Sequence, residues 1–143
     1  MRDEPIGAAS RGLDGIHALI VEDINGSRAA LRLALQYCGA LVTSVTTARE
    51  AESILEELHP HVLVTDINAL DDGVALVRAV AAMTAAQEVR VPTIAITAAR
   101  GRREDLLAEG FVEVVEKPAD AMDLCRTILE HLPTPPGVAA DRD

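Results

Sequence analysis

Five short apolar runs, each followed by a longer segment of helical period, constrain this chain more than any other feature. The runs cover 16–21, 40–45, 61–65, 91–96 and 111–115. In the segment 27–38, Ala30, Leu33, Ala34 and Tyr37 recur at the i, i+3, i+4, i+7 spacing of one helix face. Thr47-Ala48-Arg49-Glu50 has the capping-box pattern that opens a helix running to Leu58. Further helices are predicted over 72–86 and 102–109, and a last one in which Ala121, Leu124, Ile128 and Leu132 share a side. Asn25 and Asp71-Asp72 are the expected caps of the first and third helices. Strands that are apolar throughout, rather than alternating, are buried on both faces, which implies a parallel sheet covered by helices on each side. With right-handed crossovers the fold class is α/β, a doubly wound (βα)5 sandwich with a five-stranded parallel sheet. This domain occupies 15–132, between a flexible N-terminal segment 1–14 and a flexible Pro-rich tail 133–143.

Composition removes several function classes. The only aromatic residues are Tyr37 and Phe111, which leaves no base-stacking platform and no aromatic cage. A formal net charge of -10 opposes direct binding to DNA or to anionic lipid, since both are bound through Lys and Arg. No apolar stretch approaches the roughly 20 residues of a membrane span, and the acidic, proline-containing start is unlike a signal peptide. No membrane insertion and a cytoplasmic location are expected. Cys38 and Cys125 lack the spacing of a metal or redox motif and read as buried small hydrophobes in a reducing compartment.

In doubly wound sheets the working groups collect beyond the carboxyl ends of the strands. Here the first run ends in Glu22-Asp23, the third in Asp66 with Asn68 beyond it, the fourth in Thr97, and the fifth in Glu116-Lys117-Pro118. Three carboxylates facing one small volume repel one another unless a cation lies among them. Mg2+ suits that role, because it accepts one or two carboxylates, a carbonyl and several waters, and bridges to phosphate oxygens. Asp23 and Asp66 offer carboxylates, Asn68 its main-chain carbonyl, and Glu22 a hold on a metal-bound water. A carboxylate is a competent nucleophile toward a phosphoryl group when the charge on the transferring oxygens is stabilised. The Lys117 ammonium and the Thr97 hydroxyl are placed to do so.

This ordered set resembles the response-regulator receiver family of two-component signalling, which has a flavodoxin-like fold. Val21-Glu22-Asp23, Thr65-Asp66, Ile96-Thr97-Ala98 and Lys117-Pro118 match its four motifs, and the resemblance spans about 15–132. It implies that Asp66 is the phosphoacceptor, that Glu22, Asp23, Asp66 and Asn68 hold Mg2+, and that Thr97 and Lys117 contact the phosphoryl group. It also implies a histidine kinase or a histidine phosphotransfer protein as donor, an unidentified downstream protein as output, a cis peptide before Pro118, and slow self-catalysed hydrolysis. Such a chain is a phosphoacceptor signalling domain rather than a turnover enzyme. It is either free-standing or part of a longer hybrid kinase.

Two features depart from the family. The segment Asn68-Ala69-Leu70-Asp71-Asp72-Gly73 lacks the usual proline and is one residue short, and Val114 stands where a Tyr or Phe often sits. Both favour an alternative, a receiver-like interaction module that works without phosphorylation. An Asp-nucleophile phosphohydrolase is disfavoured, since those enzymes place Asp-x-Asp after the first strand. Arg100, Arg102 and Arg103 read as a solvated helix start, and the four histidines show no ligand spacing.

Overall fold

The computed structural model describes residues 12–67, 70–87, 90–117 and 120–132. Asn68, Pro118 with its peptide bond, and both terminal segments, apart from residues 12–14, lie outside these residues. Five strands alternate with five helices: β1 (His17–Val21), α1 (Asn25–Tyr37), β2 (Leu41–Val45), α2 (Ala48–Leu58), β3 (Val62–Ile67), α3 (Leu70–Gln87), β4 (Thr93–Thr97), α4 (Arg103–Glu109), β5 (Glu113–Glu116) and α5 (Ala121–His131). The strands form one parallel sheet in the order β2-β1-β3-β4-β5. The expected doubly wound fold is therefore observed, with its switch point between β1 and β3.

The two-residue period of the strands sorts the core into two layers. Ala18, Ile20, Val62, Val64, Ile94 and Ile96 face Leu35 of α1 and Leu124 and Ile128 of α5. Leu19, Val21 and Leu63 face Leu55 of α2 and Leu76 and Val80 of α3. Ile67, Ala95 and Val114 continue that second layer against Val77, Leu106 and Phe111. Each fully buried aliphatic side chain contributes about 1.5 to 3 kcal/mol, so aliphatic packing alone sustains a core with one buried aromatic ring.

Local signals held to different degrees. Thr47 caps α2, its hydroxyl accepting from Glu50 N at 3.1 Å, while Glu50 Oε1 accepts from Thr46 N rather than Thr47 N. Asn25 does not cap α1: Ile24 is the N-cap, without a side-chain bond, and Asn25 begins the helix. Asp71 and Asp72 fall inside the first turn of α3, which starts at Leu70. Arg100 is solvated as expected, its side chain 81% exposed and 3.8 Å from Glu116. Arg103 is not simply solvated: it pairs with Glu113 at 2.5 Å and donates to Val114 O, against the open edge of β5.

The reading of two unlinked cysteines is corrected. Cys38, at the C-cap of α1, and Cys125 of α5 form a disulfide across a separation of 87 residues. Both are buried as expected, at 1% and 4% exposure. Because α1 and α5 pack on the same face of the sheet, their inward positions meet in one core cluster, a proximity that sequence spacing does not encode.

Candidate functional site

The alternation that builds the core also aims the polar residues at its edge. Glu22 continues the Ala18, Ile20 series and Asp66 the Val62, Val64 series, so both side chains turn toward α1 and α5. The ladder persists past β1, with Glu22 N donating to Val45 O at 3.1 Å. Lys117 follows β5 and donates its main-chain N–H to Thr97 O at 2.8 Å. A cleft of about 650 Å³ opens here, floored by Glu22, Asp66 and Lys117 and walled by Leu31 and Ala34 of α1, Ile96 of β4 and Leu124 of α5.

At its floor, Lys117 Nζ lies 2.5 Å from Asp66 Oδ2. The Asp66 side chain is 3% exposed and that of Lys117 32%, so the lysine reaches inward from solvent to a covered carboxylate. The other oxygen, Asp66 Oδ1, is buried without a hydrogen-bond partner among the described residues. Glu22 is buried beside it, and its Oε2 accepts from Ile24 N at 2.9 Å. Burial pushes the Glu22 carboxyl up from 4.5 to about 7, helped by its hydrogen bond to Asp66 and by that residue's charge, while Ile24 N–H and Lys117 pull the other way. A Glu22–Asp66 hydrogen bond exists only while one of the two carboxyls carries a proton to donate. The site thus has one negative charge more than its lysine balances, and either a proton or a cation offsets it.

The structure brings together Glu22, Asp66 and Lys117. Asp23 is exposed on the β1–α1 loop, and among the described residues no three His, Cys, Asp or Glu side chains are grouped to hold a metal ion. Thr97 is buried at the end of β4 on the opposite parity, and its Oγ1 accepts from Ala99 N at 3.1 Å. The Asn68 carbonyl lies outside the described residues. The donor set still fits a hard divalent cation, since one or two carboxylates, a carbonyl and water satisfy such an ion and Asp66 Oδ1 is an acceptor in want of a partner. Sequence reasoning missed Arg28, whose Nη1 donates to Glu22 O at 3.0 Å and whose Nη2 donates to Asn25 Oδ1 at 2.6 Å.

Comparison with known sequences adds the deciding observation: the family described as response regulator receiver domain matches residues 18–129. The chain belongs to that family. This receiver is 36% identical over 117 residues to an uncharacterized 14.6 kDa protein in the sodA1 3' region of Leptolyngbya boryana, covering 79% of this chain and 87% of that protein. It is 31% identical over 106 residues to the virulence transcriptional regulatory protein PhoP of Salmonella typhimurium, covering 72% of this chain and 46%, about half, of PhoP. Among solved structures, the receiver domain of the sensor histidine kinase PA1611 from Pseudomonas aeruginosa PAO1, with magnesium coordinated in its active site cleft, superposes with a TM-score of 0.70. That match has 29% identity and covers 82% of this chain and 97% of the other. The receiver is a signalling domain of two-component type. Among its described residues no helix is long and apolar enough to cross a membrane.

Proposed function

We propose that this receiver accepts a phosphoryl group on Asp66 from the phosphohistidine of a histidine kinase or histidine phosphotransfer protein, with Mg2+ held by Asp23, Asp66 and the Asn68 carbonyl and Glu22 holding a metal-bound water. One observation carries the reading: Asp66 is a covered carboxylate with one oxygen on Lys117 and the other without a partner. An Asp66 oxygen attacks phosphorus, forming a P–O bond as the P–N bond to the donor imidazole breaks and the electron pair leaves with that ring. Lys117 follows the developing charge from Asp66 Oδ2 to a phosphoryl oxygen, and Thr97 gives up its local bond to Ala99 to donate from its hydroxyl. Bound Mg2+ supplies charge stabilisation on the phosphoryl oxygens. The magnesium in the cleft of the PA1611 receiver, itself part of a sensor histidine kinase, supports both the ion and the class of donor.

The chain catalyses only its own phosphorylation and slow hydrolysis, and it relays the signal to a partner protein rather than to DNA, in keeping with a net charge of -10. The reading puts it in the cytoplasm with its donor, where burial shelters the Cys38–Cys125 disulfide from thiol exchange. Incubation with acetyl phosphate and Mg2+, read by intact mass, is expected to add one phosphoryl group to the wild type and none to Asp66→Asn. A wild type without the adduct would favour a phosphorylation-independent interaction module, the reading supported by the engaged Thr97 hydroxyl and the exposed Asp23.

A further inference from the structure

The loop that carries Asp23 is secured in an unusual way. In most helices the first turn is tied to the preceding loop by an N-cap side chain that accepts from a main-chain N–H. At α1 the N-cap is Ile24, which has no acceptor and is 51% exposed. The loop is instead held by a different set of bonds. Glu22 N donates to Val45 O, Ile24 N donates to Glu22 Oε2, and Arg28 N donates to Ile24 O at 2.8 Å. That leaves the carbonyl of Glu22, which belongs to the peptide entering Asp23, and Arg28 Nη1 donates to it at 3.0 Å. The second arm of the guanidinium is fixed by Asn25 Oδ1 at 2.6 Å. A planar fork anchored at both ends restrains the tilt of that peptide, and with it the position of the Asp23 Cα from which the side chain departs.

We infer that Arg28 is a positioning residue for the metal-binding loop: by bridging the Glu22 carbonyl and the Asn25 side chain it holds the peptide that enters Asp23, a ligand of the proposed cation. The inference rests on the Mg2+ reading given above and adds to it a residue that touches neither metal nor phosphoryl group. Geometry is what Arg28 supplies, so its loss is felt most by the ion with the strictest geometry. Mg2+ requires near-ideal octahedral coordination, whereas Ca2+ accepts irregular sets of six to eight oxygens. A residue that merely stabilised the fold would weaken both ions alike.

The test titrates the metal-free full chain with Mg2+ alone and Ca2+ alone by calorimetry, in wild type, Arg28→Met and Arg28→Lys. Arg28→Met keeps the aliphatic stem and is expected to weaken Mg2+ binding about tenfold, as loss of an outer partner of a metal ligand does. Ca2+ binding is expected to weaken about twofold, so selectivity for Mg2+ falls about fivefold. Arg28→Lys keeps the charge, but one ammonium cannot span both acceptors in the same plane, so it follows Arg28→Met. Should Arg28→Met fail to fold, the selectivity of Arg28→Lys decides alone. An unchanged Mg2+/Ca2+ ratio in either folded variant overturns the inference while leaving the metal site standing. A wild type that binds no Mg2+ overturns the metal reading and this inference with it.

Discussion

Replacing Glu22 by Gln should stabilise the metal-free receiver at alkaline pH, although it removes a group proposed to serve the metal. The carboxyl is raised from 4.5 to about 7 in the folded state, chiefly by burial. A folded-state value above the unfolded one means the favourable, protonated form is fully present below about 4.5 and lost as pH rises through about 7. At about 1.36 kcal/mol per unit, the ionised residue would cost the fold about 3 kcal/mol at pH 8 and under about 1 kcal/mol at pH 5. The side chain is 2% exposed, yet it lies at the floor of an open cleft, so screening by nearby water reduces the alkaline figure to about 1 to 2 kcal/mol. Gln keeps an oxygen for Ile24 N–H and adds an amide donor toward the Asp66 carboxylate. Urea unfolding without divalent ions, from pH 5 to pH 8.5, should show Glu22→Gln and wild type converging at the acid end, separating as pH rises toward 7 and keeping a constant difference above it, the variant more stable. A stability difference independent of pH, or a variant weaker at pH 8, would refute the reasoning.

Lys117→Met removes the only cation in contact with the covered Asp66 carboxylate among the described residues, and should lower metal-free stability by about 1 to 3 kcal/mol, partly restored by Mg2+, as read by urea unfolding with and without the ion. Reducing Cys38–Cys125 opens a loop of 87 residues and should cost about 2 to 4 kcal/mol, read from the urea midpoints of oxidised and reduced protein with alkylation to confirm the thiols. A phosphoryl mimic with Mg2+ should shift the amides of 97–117 as Thr97 exchanges its bond to Ala99 and the face formed by α4, β5 and α5 repacks; unmoved amides would rule that movement out.

What could be read from the sequence and what could not divide along a physical line. The apolar runs gave β1 to β5 because burial on both faces leaves a local imprint, and the strand-end rule pointed to Glu22, Asp66, Thr97 and Lys117 because parallel order collects those ends. Thr47 was legible as a cap from four consecutive residues. Ile24 was not, because its loop is tied by an arginine in the following turn, an arrangement without a compositional signature. The disulfide was missed for a related reason: it depends on α1 meeting α5, and helix pairing is set by the whole sheet. The expectation that the strand-end groups share one volume also treated them as equivalent, whereas strand period two sends Glu22 and Asp66 to one face and Thr97 to the other.

That split has a consequence for signalling, because Lys117 is the residue that joins the halves. Its ammonium sits on Asp66 Oδ2 while its main-chain N–H holds Thr97 O, so one residue touches the Asp66 carboxylate on one face and the end of β4 on the other. In the proposed reaction, new charge on Asp66 would draw the ammonium to a phosphoryl oxygen, and the main chain that carries it is bonded to the end of β4, where the Thr97 hydroxyl would turn. Val114 is buried in the second core layer, and a route through Lys117 and Thr97 needs no moving aromatic ring there. If that route operates, Lys117→Arg, which keeps the charge but lengthens the reach, should permit phosphorylation while diminishing the amide shifts at Thr97, Ala98 and Ala99. Full-sized shifts in that variant would show that the signal crosses the sheet by another path.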